Sequence, residues 1–224
     1  MTRAILLDAL GTLVEFADPA PALRRGLAEG HGVEVSEDDA RAAVRAEIAF
    51  YRREHGAAGD AASLARLRLA CADVVRESLG LDVPAGELVA TVVDSFRFVP
   101  FAEVPGVLDE LRARGHALAV VSNWDVSLHE VLERTGLRPR VDAVVVSAEI
   151  GVAKPDPEPF RQALAAVGAD AADALHAGDQ IDEDVAGARA AGVRPVLVAR
   201  DGVVPGADGV TVIETLAGLL DLAP

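Results

Sequence analysis

The sequence predicts an α/β protein, with a parallel sheet covered by helices and an all-helical insertion near the start of the chain. Three observations carry this reading. Beyond Pro100, short apolar segments alternate with helical stretches of roughly 10–15 residues, the pattern of a parallel sheet packed on both faces. One apolar segment of the same kind, residues 4–8, stands alone far upstream. Between them, roughly residues 15–98, there is no convincing strand pattern. The predicted domains are therefore a core from residues 1–14 and 99–224 and a helical cap from residues 15–98.

The elements follow in order. Residues 4–8 are the first strand, and Gly11 and Thr12 begin a turn. In the insertion, "PALRRGLAEGHG" reads as a helix stopped at Gly30 or Gly32. "SEDDARAAVRAEIAFYRREHG" offers Ser36 as N-cap, has Asp39 three residues on, and closes at Gly56. "AASLARLRLACADVVRESLG" repeats Leu and Val at helical spacing to Gly80, and "PAGELVATVVDSFRFV" adds a fourth helix. After Pro100, "VPGVLDELRARG" is a helix, "HALAVVSN" a strand, "VSLHEVLERTG" a helix and "VDAVVVSAE" a strand. "DPEPFRQALAAVG", "DALHAGD", "IDEDVAGARAAG" and "RPVLVAR" continue the alternation as helix, strand, helix and strand. "DGVVPGADG" reads as a loop from its Gly and Pro, and "VTVIETLAGLLDLA" closes with a short strand and a helix.

The 224 residues suit one large domain, or a core with an insert. The chain is 51% hydrophobic but only 4% aromatic, so its core is expected to be built of Ala, Val and Leu. A formal net charge of −15 argues against nucleic acid and anionic membranes as partners, while a locally positive site still admits a small anionic substrate. Cys71 is the one cysteine, which fits a reducing compartment and a buried small side chain. There is no signal-peptide pattern and no run of about 18 apolar residues, so the expectation is a cytoplasmic protein, monomer or homodimer. Of the 21 basic residues, only Lys154 is a lysine. Among so many arginines, that position draws attention.

Polar residues stand where strands end: Asp8 with Thr12, Ser122 with Asn123, Lys154 in a loop, and Asp179 with Asp184. In a parallel sheet the C-terminal strand ends share one edge, so residues distant in sequence converge there. Carboxylates beside one ammonium describe a site for a divalent cation and an anionic oxygen group. Asp8, one of the acidic residues Asp179 and Asp184, and the backbone carbonyl of Leu10 are oxygen ligands suited to Mg²⁺. Thr12 and Ser122 offer hydroxyls to anionic oxygens, and Lys154 keeps Asp8 ionised for attack on phosphorus. Singly, each residue has a plain structural explanation. Asp8 and Thr12 are turn or cap residues, Asn123 and Asp125 strand exits, Lys154 a loop lysine, and the later aspartates decorate a helix N-terminus. Their order and company favour the chemical reading.

These motifs resemble those of the haloacid-dehalogenase-like (HAD) hydrolase superfamily. "DALGT" resembles its Asp-x-Asp-x-Thr loop, with Leu10 at the second Asp; "VVSN" supplies Ser122, "KPDPEPF" Lys154, and "GDQIDEDVAGA" the acidic pair Asp179 and Asp184. The resemblance covers essentially the whole chain and implies a HAD-type Rossmann-like parallel sheet with an inserted helical cap. A cap at that edge would close over the site and exclude water. It further implies Asp8 as nucleophile, Mg²⁺ as cofactor on the full set Asp8, Leu10, Asp179 and Asp184, and hydrolysis of a small phosphate ester or acyl phosphate through an aspartyl-phosphate. The catalytic set is then Asp8, Thr12, Ser122, Asn123 and Lys154. The second Asp normally serves as general acid and base, a role commonly worth roughly 10²–10⁴-fold. With Leu10 in its place, turnover is expected to be slow or restricted to good leaving groups, unless His31, His55 or a cap carboxylate moves the proton.

Two alternatives stay open. "DALGT" also resembles the 2-haloacid dehalogenases, where Asp8 would displace halide without metal, and Arg24, Arg41, Arg45, Arg52 or Arg53 would hold the substrate carboxylate. The retained acidic pair speaks against that branch. The second alternative is a weakly active or non-catalytic binding protein, since a poorly defined subgroup also has a non-acidic residue at the second Asp and an "SNxD" sequence, here Ser122 to Asp125. Phosphonoacetaldehyde hydrolases drop out, because residues 15–98 hold no lysine for their Schiff base. Trp124 has two readings, as a pocket floor or a core contact. Phe50 and Tyr51 read as anchors at helical spacing.

Overall fold

The computed structural model describes residues 3–200, 202, 206–207 and 209–223. Asp201, Val203, Val204, Pro205 and Asp208, in the expected "DGVVPGADG" loop, lie outside the described residues. The chain divides into two compact units, Met1–Glu15 with Pro100–Pro224, and Phe16–Val99.

The first unit is an α/β sheet structure. Its strands are β1 (Ala4–Leu7), β4 (Ala117–Ser122), β5 (Ala143–Val146), β6 (Ala174–Gly178), β7 (Arg194–Val198) and β8 (Thr211–Ile213). They form one six-stranded sheet in the order β5-β4-β1-β6-β7-β8. Its strand pairs are parallel, with Leu7 opposite Val120 on one side and Ala177 on the other. The central strand β1 reads AILL and is buried on both faces, as a parallel strand under two helical layers must be. The order places the first strand between two later ones, so the ends of β1, β4 and β6 lie side by side. Helices α5 (Val104–Ala113), α6 (Leu128–Arg134), α8 (Glu158–Val167) and α9 (Ala186–Ala190) connect the strands, with the single turns α7 (Ser147–Ile150) and α10 (Leu219–Leu222). Leu6, Ala119, Val121, Phe160, Ala163 and Ala188 pack in one cluster, and Phe160 is its one aromatic member. The expected Ala, Val and Leu core is what the fold contains.

The second unit is helical: α1 (Pro19–His31), α2 (Glu37–Glu54), α3 (Ala61–Leu79) and α4 (Ala85–Ser95). Ser36 caps α2 as the sequence predicts, its Oγ accepting from Asp39 N at 3.1 Å. Gly32 and Gly80 stop α1 and α3 in the left-handed conformation. Leu23, Leu27, Val44, Val75, Leu88 and Val92 form its core. At about 2 kcal/mol per fully buried aliphatic side chain, such a cluster gives a four-helix insert its own cohesion.

Two features correct the sequence reading. The stretch 15–98 is not free of strand: β2 (Val14–Phe16) and β3 (Phe98–Pro100) form a two-stranded ribbon at its margins. Three residues are too few to show alternation, and the Phe16 and Phe98 rings meet edge-on at 6.0 Å. The "VDAVVVSAE" strand also ends early, at Val146, because Ser147–Ile150 turn helical and Gly151 takes φ 72°.

Candidate active site

Asp8 follows β1 directly, and its backbone N–H donates to Ala177 O at 2.9 Å, which ties the end of β1 to β6. The residue is buried, with its side chain 8% exposed. Asp8 Oδ1 accepts from Ser122 Oγ at 3.1 Å and from Lys154 Nζ at 2.6 Å. Oδ2 carries no hydrogen bond among the described residues. Lys154 Nζ also donates to Asp184 Oδ1 at 2.6 Å, so one buried ammonium bridges two carboxylates.

Asp8, Asp179 and Asp184 bring carboxylate oxygens within 4.8 Å of one another, close enough to hold a divalent metal ion together. Burial pushes the Asp8 carboxyl up to about 6; Lys154 opposes this, and Asp184 and Asp179 add to it. Asp179 is raised too, by burial first, with Gln180 opposing and Asp184 contributing. For Asp184, burial also pushes upward, but the Lys154 ammonium and the His176 hydrogen bond outweigh it and hold the carboxyl well below its ordinary range. Lys154 is disfavoured as an ion by burial, yet Asp8 and Asp184 hold its ammonium above the usual lysine range. Lys154 thus bonds two of the three carboxylates, and the Asp8 and Asp179 carboxyls are the two raised by burial and their acidic neighbours. An all-oxygen donor set of this kind suits a hard cation such as Mg²⁺.

Two glycines make the cluster possible. Gly11 has φ +81°, and a Cβ there would come within 2.5 Å of Asp179 Oδ2. A Cβ on Gly178 would overlap the Asp184 carboxylate. Asp184 itself sits in a π-helical turn, Ile181–Val185, ahead of α9. Wide turns of this kind recur at functional sites.

The remaining predicted residues divide. Asn123 does not join the Asp8 cluster by a hydrogen bond. Its Oδ1 accepts from Lys154 N at 2.8 Å, and its Nδ2 donates to Lys154 O at 3.0 Å and Glu183 Oε2 at 2.7 Å. Asn123 thus clamps the backbone of Lys154. Thr12 is fully buried, and its Oγ1 has no partner among the described residues. Leu10 is half-buried in the loop and bridges to Val14. Trp124 is 5% exposed, with its N–H and carbonyl both bonded to Ser147 Oγ, which suits a core contact. In the helical unit, His31 Nε2 bonds Thr91 Oγ1 at 3.0 Å, and the His55 ring lies 5.3 Å from Tyr51. Of the arginines named there, Arg24 bonds Val35 O and Arg41 pairs with Asp18 and Glu37. Arg53 pairs with Glu54 and lies over Phe50.

Sequence reasoning missed His176, whose Nε2 lies 2.9 Å from Asp184 Oδ1. It also missed Gln180, whose backbone N–H donates to Asp184 Oδ2 at 3.0 Å. A third omission is Arg200, which bonds Gly11 O at 3.0 Å, Thr12 O at 2.7 Å and Glu103 Oε1 at 2.8 Å. Its guanidinium lies 3.3 Å from the Phe101 ring centroid, so the loop after β1 is held from behind by a stacked cation.

The fold and this site define a capped hydrolase of the Rossmann-like kind. Residues 2–192 match the haloacid dehalogenase-like hydrolase family, and the chain belongs to that family. It is 39% identical over 133 residues to a phosphoserine phosphatase of Thermus thermophilus, an alignment spanning 57% of this chain and 53% of that protein. The chain therefore spans about half the length of that relative. It is 31% identical over 206 residues to haloacid dehalogenase-like hydrolase domain-containing protein 3 of Mus musculus, covering 88% of this chain and 82% of that protein. Among solved structures, a 2-haloacid dehalogenase from Pseudomonas syringae superposes with TM-score 0.68 and 25% identity, over 99% of this chain and 98% of that one. Among the described residues, no helix is long and apolar enough to cross a membrane.

Proposed function

We propose that the chain is a Mg²⁺-dependent hydrolase of a small phosphate ester or acyl phosphate, acting through an aspartyl-phosphate on Asp8. The chemistry is assigned to residues 1–14 and 99–224, with residues 15–98 as the cap, in a cytoplasmic protein. The observation that carries the reading is the buried Asp8–Lys154–Asp184 bridge beside Asp179. Asp8, Asp179 and Asp184, with the Leu10 carbonyl, would hold the ion. Bound there, Mg²⁺ supplies positive charge against the oxygens of the transferring phosphoryl group.

The residues of the chain do the rest. Lys154 keeps Asp8 ionised, and the Ser122 and Lys154 donors fix Oδ1, which leaves Oδ2 to react. A bond forms from Asp8 to phosphorus as the bond to the leaving oxygen breaks. Water then cleaves the aspartyl-phosphate, releasing inorganic phosphate and restoring the carboxylate. Asn123 keeps Lys154 in place, and Thr12 supports the loop. Leu10 has no proton to give, so the leaving group departs without one. That favours acyl phosphates and other good leaving groups, and makes turnover of ordinary alkyl esters slow.

A phosphomonoester, acyl phosphate and 2-haloacid screen, with and without Mg²⁺, tests this. Phosphate release that needs Mg²⁺ and disappears in Asp8→Asn is the expected result, with beryllofluoride trapped on Asp8. The 2-haloacid dehalogenase reading is favoured by "DALGT" and the Pseudomonas syringae likeness. Halide release indifferent to Mg²⁺ would establish it in place of the phosphatase. The retained acidic cluster supports the metal-dependent reading over it.

A further inference from the structure

We infer that His176 is a positioning residue: its Nε2–H sets the rotation of the Asp184 carboxylate and so determines which oxygen Asp184 presents to the metal. The inference rests on the metal-dependent reading above. His176 lies inside β6 and is fully buried, an expensive place for an imidazole unless it has a task. Its Nε2 meets Asp184 Oδ1 at 2.9 Å. A carboxylate only accepts, so Nε2 carries the hydrogen. Nδ1 is buried with no partner among the described residues, which agrees with a bare Nδ1.

Asp184 Oδ1 then receives two donors, His176 and Lys154, and is saturated. Oδ2 receives only Gln180 N and keeps one lone pair. Lys154 cannot fix this rotation alone, because its ammonium is shared with Asp8. The imidazole belongs to Asp184 only.

The ring is itself held. Phe160 stands edge-on to His176, with ring centroids 4.8 Å apart and planes at 87°. Phe160 reaches that position because Gly187 has no side chain: a Cβ there would lie 2.6 Å from Phe160 Cε2. Phe160 closes the sequence stretch that supplies Lys154, and Gly187 is the last residue but one of the stretch that supplies the acidic pair. Both bear no chemistry of their own, and in this reading they brace the imidazole that orients the ligand. Partners of this outer kind typically change metal affinity by 10–100-fold when removed.

Calorimetric titration with Mg²⁺ compares wild type, His176→Met and His176→Gln. Met fills similar space without a donor, while Gln places an amide N–H near the Nε2 position. The Met variant is expected to bind Mg²⁺ about tenfold more weakly, and the Gln variant to recover most of that loss. Equal binding in Met and wild type, or equal weakening in Met and Gln, overturns the inference. Ring ¹⁵N NMR of the wild type needs neither metal nor variant. It should show a protonated Nε2 and an unprotonated Nδ1, and the opposite tautomer overturns the inference even if His176→Met does not fold. A wild type that binds no Mg²⁺ while keeping the expected tautomer overturns the metal-dependent reading and, with it, the service of His176 to a metal. The two failures are therefore told apart.

Discussion

Lys154 Nζ lies 2.6 Å from Asp8 Oδ1, with both side chains withdrawn from solvent. The same ammonium is 2.6 Å from Asp184, so among the described residues it is the one Lys or Arg side chain bonded to either carboxylate.

Removing that charge should therefore affect stability and turnover together. Lys154→Met leaves buried carboxylates uncompensated, and breaking such a pair from one side costs about 3–5 kcal/mol. Proton uptake by Asp8 offsets part of this, since its carboxyl already stands at about 6. The expected result is a loss near 3 kcal/mol, the lower end of that range, in urea unfolding at neutral pH with chelator present, shrinking in acid. Phosphate release should fall below detection. A variant as stable as wild type at neutral pH would show that the bridge contributes nothing net.

Leu10→Asp restores a carboxyl where the family normally has its general acid and base. If proton transfer limits the reaction, turnover of poor leaving groups should rise by roughly 10²–10⁴-fold, with little change for acyl phosphates. An equal gain on both substrate types would point to metal binding instead of proton transfer. The measurement is kcat on an alkyl and an acyl phosphate in parallel.

Gly178→Ala should weaken Mg²⁺ binding and destabilise the fold, because the added methyl overlaps the Asp184 carboxylate. Overpacking of this sort costs about 1–3 kcal/mol. Gly168→Ala is a useful contrast: φ is +65° but no atom stands within 4 Å, so it should cost stability through strain and leave metal affinity unchanged.

The helical unit carries a separate pH dependence. Glu47 in α2 is 5% exposed, and burial pushes its carboxyl up to about 7, with the Cys71 thiol hydrogen bond opposing. The unfolded chain releases this proton near the ordinary glutamate value of 4.5, so between 4.5 and about 7 the folded state holds more protons. The stability this group contributes must therefore fall as pH rises through that window, by roughly 3 kcal/mol, and level off above it. Glu47→Gln should remove the part of the slope that Glu47 contributes, matching wild type near pH 4 and exceeding it at pH 8, while the raised Asp8 and Asp179 carboxyls keep theirs. Urea midpoints at the two pH values decide this, and parallel curves for both proteins would refute it.

The fold was legible because its signals are local and repeated. Apolar strands ending in polar residues, with glycine-stopped helices between them, specify a parallel sheet without any long-range information. Asp8, Ser122 and Asp179 were legible by the same rule, Lys154 as the only lysine of the chain, and Asp184 as an acidic residue in the stretch that follows Asp179. His176 was not, because it sits inside a strand, two residues before Gly178. A lone imidazole in an apolar strand needs a partner, and that requirement was the available signal. Arg200 follows "RPVLVA" at a strand exit, so the rule that found Asp8 applied to it as well. The division of labour between Asn123 and Ser122 depends on side-chain direction, which adjacency in sequence does not reveal. Strands β2 and β3 owe their existence to pairing, which three-residue segments do not advertise.

Lys154 is the only lysine in the chain, and its side chain is 1% exposed. The native surface therefore offers acylating reagents no lysine amine, and modification of that side chain must wait for the structure to open. The rate at which Lys154 is acylated becomes a clock for opening of the sheet unit, read by mass spectrometry at a single position with no engineered label.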